Sequence, residues 1–204
     1  MKIDQACNFN RFTVEPVLRY PCGEIMSANP TKKLFNVHEY HQMAEAGILS
    51  RNDRVELIRG EILDLSPFNP PHCALVDRTT RVMGRVVGDR AIFQIQGSVR
   101  LDLWGEPQPD FALLMPVDDF YISRHPGPQD VFLVMEVSDS SLQYDSEIKA
   151  RLYADTGVPE HWILDIKNIC LFANSDINEN TYSTVRQYHR GDSEPAAFQH
   201  EAVL

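Results

Sequence analysis

PDFALLM (residues 109–115) and VFLVMEV (131–137), followed by DSEIKARLYADTG (145–157), decide how this chain folds. The first two are short apolar runs bounded by proline, glycine or acidic loops, and at that length they read as buried strands rather than helices. Each brings one acid to a strand end: Asp110 opens the first, and Glu136 stands next to last in the second. Two carboxylates confined to one small volume repel each other unless a cation lies between them, and a donor set made of oxygens suits Mg²⁺ or Mn²⁺. The same two acids would also serve as plain strand caps, a common structural role.

The third stretch reads as a helix: strong helix formers, an acidic first turn that suits the helix dipole, and Gly157 with Pro159 as its stop. Asp145, Lys149 and Tyr153 fall at i, i+4 and i+8 and share a face, while Ile148 and Leu152 point elsewhere. On a solvated face Asp145 and Lys149 would form a pair worth about 0.2–0.5 kcal/mol. Turned toward the sheet, the ammonium would lie beside the two acids and orient a water there.

Outward from this centre, Gly105 to Pro109 turns the chain into the Asp110 strand, and residues 115–130 form an acidic connection too polar for a core. Ala91–Ile95 and Ser98–Trp104 read as strands, the latter with Val99, Leu101 and Leu103 in period two. His161–Asp165 and Ile169–Ala173 form a hairpin around Lys167-Asn168, and Thr181–Tyr188 adds an alternating edge strand. Asn36 to Gly47 is a short helix with Asn36 and Glu39 as a capping box and Gly47 as its stop. His38 and His41 stand on it at i, i+3, but no third ligand is near in sequence, so they read as surface histidines. Asp53 to Leu65 is a hairpin turning at Arg59-Gly60. Ser66-Pro-Phe-Asn-Pro-Pro leads into a helix from His72 to Val87, on which Leu75, Thr79, Val82 and Val86 share one face. Arg78, Arg81 and Arg85 form a basic stripe on another face, either solvated or facing phosphate, with Asp77 within reach of Arg81. His72 would meet a phosphate or cap the helix.

Composition narrows the class. A chain of 204 residues, 43% hydrophobic, can bury one sizeable core. No run is long enough to cross a bilayer, and no signal-like apolar segment opens the chain, so no membrane partner and a cytoplasmic location are expected. Cys7, Cys22, Cys73 and Cys170 form no C-x-x-C pair, which argues against a zinc-thiolate centre and for reduced thiols. A formal net charge of −10 weighs against generic nucleic-acid binding, although local charge outweighs the total and a metal would offset several acids. No G-x-S-x-G elbow and no glycine-rich phosphate loop is present.

The order Pro109-Asp110, then Glu136-Val137, then D-x-x-x-K-x-x-x-Y-x-x-x-GVPEHWILD (145–165) resembles the Uma2 family of the restriction-endonuclease-like, PD-(D/E)xK superfamily. VELIRGEI (55–62) and Ser66-Pro67 with His72 extend the resemblance, which covers roughly residues 35–188. The superfamily commonly carries a lysine two residues after the second acid, where this chain has Ser138; the family moves it to the following helix, which matches Lys149. Val137-Ser-Asp-Ser-Ser also departs from the family's usual Val-Leu-Ser-Pro-Ser. The resemblance implies an α/β restriction-endonuclease-like mixed β-sheet flanked by helices, in a single domain over 34–190. Residues 1–33, outside the resemblance, read as an N-terminal arm or leader, able to pack on a second copy in a homodimer, and 191–204 as a loose tail. It implies a metal-dependent nuclease acting on nucleic acid, with Asp110, Glu136 and Lys149 catalytic, Mg²⁺ (or Mn²⁺) as cofactor, and Asp110, Glu136, Glu56 and a main-chain carbonyl near Val137 holding it. The alternative is a non-catalytic interaction domain that retains the endonuclease-like scaffold.

Overall fold

A computed structural model describes residues 31–50 and 52–192. The readings placed on residues 1–30 and 193–204, including Cys7 and Cys22, lie outside the described residues.

A capping box opens helix α1 (Val37–Glu45): Asn36 Oδ1 accepts from Glu39 N at 3.0 Å and Glu39 Oε2 accepts from Asn36 N at 2.9 Å. Strands β1 (Val55–Ile58) and β2 (Glu61–Asp64) form the expected hairpin. Its turn needs glycine: Gly60 has φ +82°, and a Cβ there would stand 2.8 Å from that of Leu34. Helix α2 (Pro70–Val87) starts at Asn69, whose Oδ1 accepts from His72 N, with Pro70 and Pro71 in the first turn.

The main sheet has six strands in sequence order: β3 (Ile92–Ile95), β4 (Phe111–Leu114), β5 (Val131–Ser138), β6 (His161–Asp165), β7 (Cys170–Asn178) and β8 (Thr181–His189). All neighbours are antiparallel except β5 and β6. That single parallel pair requires a crossover. It carries α3 (Leu142–Tyr144), a π turn (Asp145–Lys149) and α4 (Ala150–Asp155). The result is a mixed α/β fold with helices against the sheet.

β5 is buried along its whole length and feeds two cores. On one face Val76, Met83 and Val87 of α2 cluster with Phe111, Met135 and Trp162; on the other Leu152 and Tyr153 cluster with Ala112, Val134, Leu101 and Ile58. No helix of the described residues is long and apolar enough to cross a membrane.

Two sequence expectations are corrected. Residues 98–104 are not a strand: Val99 and Leu101 point inward, but their amides donate to Pro107 O and Gly105 O, closing the segment as a loop on the turn that follows. The buried face of α2 is Val76, Met83 and Val87, leaving Val82 and Val86 exposed. The true face is thus rotated from the expected one by about 100°, one residue's turn.

Candidate active site

Pairing of Phe111 with Met135 in the β4/β5 register sets Asp110, one residue before β4, opposite Glu136 on β5. Alternation along the strands sends both side chains to the face covered by the crossover helices. Asp110 Oδ2 accepts from Val137 N at 2.9 Å and lies 3.0 Å from His72 Nε2.

The crossover brings the third expected residue. Its π turn leaves Ser146, Glu147 and Ile148 exposed and buries Asp145 and Lys149. Successive i, i+4 positions of an α-helix drift by about 40°, and one wider turn takes back that drift. Asp145, Lys149 and Tyr153 all point inward in consequence, which corrects the solvated-pair alternative. Leu152 is buried beside them, whereas Ile148 is exposed. Lys149 Nζ donates to Glu136 Oε1 and lies equally close, 3.1 Å, to Glu56 Oε2. Tyr153 OH donates to the same Glu136 oxygen at 2.9 Å. Glu56, on fully buried β1, also accepts from Gln108 N at 3.1 Å. Asp145 accepts from the hydroxyls of Ser138 and Ser141. Ser138, standing where the superfamily commonly has lysine, thus braces the element that supplies Lys149.

Asp110, His72, Glu136, Glu56, Asp145 and Lys149 line one cavity of about 460 Å³. Burial pushes the Glu136 carboxyl well above the usual range; Lys149 opposes this, while Asp145, Asp110 and Glu56 add to it. Burial by itself would lower the pKa of Lys149, but Glu136, Glu56 and Asp145 outweigh it and hold the ammonium charged. Burial and the same acids raise the Tyr153 phenol, so it remains a donor.

Sequence reasoning points to Asp110, Glu136, Lys149 and Glu56, and the fold gathers all four around one cavity. It misses others. His72 neither caps α2 nor stands free: it meets Asp110, and Phe68 stacks on its ring at 5.0 Å between centroids. Arg54 lies over the Phe68 ring at 3.5 Å, at the rim of the cavity. Tyr144 lines the cavity with a buried hydroxyl that has no hydrogen-bond partner among the described residues. The motif Ser66-Pro67 with His72 is the only sequence signal for this group. Asp139, part of the departing loop, accepts from Asn69 Nδ2 at 2.8 Å and ties the start of α2 to the end of β5.

Residues 37–202 match the model of the Uma2 family, described as "putative restriction endonuclease". Among solved structures, the chain is similar to a "putative nuclease belonging to DUF820" from Anabaena variabilis ATCC 29413, with a TM-score of 0.59 at 13% sequence identity, covering 80% of this chain and 90% of that one. At that identity the likeness speaks for the fold. No curated protein matches the chain.

Proposed function

The chain belongs to the Uma2 family, and on that premise we propose that it is a metal-dependent nuclease that hydrolyses phosphodiester bonds at the cavity lined by Asp110, Glu136 and Lys149. One observation carries the reading: two carboxylates from neighbouring strands converge with an ammonium from the crossover, Lys149 Nζ lying 3.1 Å from Glu136 Oε1.

The donor set fits a hard divalent cation. Asp110 Oδ1 and Glu136 Oε2 accept no hydrogen bond from a described residue, since the polar partners of both acids engage the other oxygen. Burial, and after it the nearby acids Asp145, Asp110 and Glu56, push the Glu136 carboxyl up against the opposing Lys149, and a bound cation would favour its ionised form. Asp110 and Glu136, with Glu56 and the Val137 carbonyl alongside, would hold Mg²⁺ or Mn²⁺. Such an ion, when bound, supplies an acidified water and stabilises charge on the scissile phosphate.

The remaining work belongs to the chain's own groups. Val137 N–H and His72 fix the orientation of Asp110; Tyr153 and Lys149 fix that of Glu136. Lys149, kept charged by its acids, sets a cation beside the cavity where the attacking water and phosphate oxygens would meet. Arg54 offers a second cation at the rim, so the local field there differs from what a net charge of −10 suggests.

One observation favours the second reading, an interaction domain that keeps the endonuclease-like scaffold: Lys149 already pairs with both Glu56 and Glu136 from within, as a structural ion pair would. A screen of single-stranded, duplex and branched nucleic acids with Mg²⁺ or Mn²⁺ separates the two. The nuclease reading expects cleavage of at least one substrate, abolished by chelation and by Asp110→Asn. No cleavage, together with no Mn²⁺ uptake by calorimetry, would leave the interaction domain.

A further inference from the structure

Away from that cavity, Glu106 is 2% exposed, and no lysine or arginine pairs with its carboxylate among the described residues. It faces two imidazoles instead. His41 Nε2 lies 2.9 Å from Oε1 and 3.1 Å from Oε2, and His125 Nε2 lies 4.0 Å from Oε1. An imidazole is charged only when protonated, so this sealed carboxylate has no permanent counter-charge, an arrangement that burial makes costly.

The spacing is that of a metal shell. The three ligand atoms lie within 4.8 Å of one another. Bonds of about 2.0–2.1 Å to nitrogen and oxygen in a tetrahedral shell set neighbouring donors roughly 3.3 Å apart. The observed 2.9 and 4.0 Å bracket that value. Adjustment is easy where it is needed: the imidazoles are 41% and 46% exposed, whereas Glu106 is anchored by its amide to Leu57 O at 2.8 Å. Both histidines line a cavity of about 770 Å³, which leaves the outer side of the cluster accessible to a fourth ligand from solvent. Two nitrogens with one oxygen select Zn²⁺ or a similar first-row ion over Mg²⁺.

We propose that His41, Glu106 and His125 form a transition-metal site, for Zn²⁺ or a similar first-row divalent ion, separate from the acidic cluster around Glu136. The ligands come from α1, the segment before β4 and the β4–β5 connection, so the ion is a structural tie among three stretches distant in sequence. Sequence reading passes over His41 because its partners lie 65 and 84 residues away along the chain (106 − 41 and 125 − 41). The proposal does not depend on nuclease activity.

The test uses tag-free, chelator-stripped protein titrated with Co²⁺, read by visible absorption, and with Zn²⁺, read by calorimetry. Wild type and Asp110→Asn should share a site that is at least tenfold weaker in His41→Gln and in His125→Gln, with Zn²⁺ raising the unfolding midpoint of wild type but not of His125→Gln. His125 lies on an exposed connection, so that variant keeps its fold, which circular dichroism checks. No Zn²⁺ or Co²⁺ binding by wild type, or equal affinity in wild type and the folded His125→Gln variant, would overturn the site.

Discussion

Lys149 is a buried ammonium shared by two buried glutamates, and truncating it separates two roles. Removing one partner of a buried ion pair costs about 3–5 kcal/mol, because the other charge is left uncompensated. Lys149→Met should therefore lower the unfolding midpoint in metal-free buffer, and Mn²⁺ should restore more stability to the variant than it adds to wild type. Turnover on the substrate found by the screen should still fall by orders of magnitude, as follows loss of a preorganised charge. Wild-type turnover in this variant would reduce the lysine to an internal counter-ion. His161 offers an independent check on burial. It is fully buried, flanked by the rings of Tyr153 and Tyr182, and its Nδ1 lies 3.4 Å from Asn174 Nδ2 while Nε2 has no partner among the described residues. Burial, with Lys149 nearby, lowers its pKa from 6.5 to about 3. Between those values the unfolded chain takes up a proton that the folded chain refuses. This contribution to stability is present above about 6.5 and is lost as pH falls toward 3. His161→Phe should flatten the decline across that window, and equal slopes for variant and wild type would show that the imidazole charges without unfolding. Asp110, Glu136 and Lys149 are legible in the sequence because strand ends and helical spacing display them. The bonds of His72 to Asp110 and of Gln108 to Glu56 are not, since they depend on which loops close over the sheet.

Among elements, α2 shows how far pattern reading reaches. Its stop and its exposed arginines follow from the sequence, while its start lies at Pro70, two residues before the expected His72, and Val82 and Val86 mimic a buried stripe that belongs to Val76, Met83 and Val87. Alternating faces of similar hydropathy cannot be ranked without knowing which one meets β5. Residues 98–104 mislead for another reason: period two reports which side chains turn inward, and Val99 and Leu101 do, but it cannot report which backbone partner is offered. The π turn reads in sequence as an ordinary helical turn, since nothing in DSEIK distinguishes i→i+5 from i→i+4 bonding. Arg78, Arg81 and Arg85 are exposed and form no ion pair with a described residue, so Asp77 does not claim Arg81. If nucleic acid lies along α2, reversing these charges should weaken binding uniformly across sequences and lower the salt slope by roughly one for each phosphate that is no longer neutralised. Binding isotherms at several salt concentrations measure this, and an unchanged slope would assign the stripe to solvent.

At the scale of the whole molecule, the mixed sheet and its helical flanks are legible, because strand-length apolar runs alternate with helical spacing and fix an α/β plan. The order of events in folding is not. β3, β4 and β5 pair through antiparallel neighbours, while β6 can join β5 only after residues 139–160 have looped over the sheet. Closing that loop costs entropy before any contact repays it. Glu136 belongs to the early side of this divide, and Lys149 and Tyr153 ride on the late one. If the crossover docks last, the acidic cavity would exist for a time as carboxylates without their ammonium, open to water and to any divalent ion in the medium. Pulsed hydrogen exchange during refolding should find β4 and β5 amides protected before those of Ala150–Asp155, and Mn²⁺ should narrow the gap by standing in for the missing cation. Simultaneous protection with and without Mn²⁺ would mean that the crossover docks as the sheet forms. Earlier protection of β4 and β5 would mean that a sheet with one parallel pair makes the counter-ion of its own acidic site a latecomer.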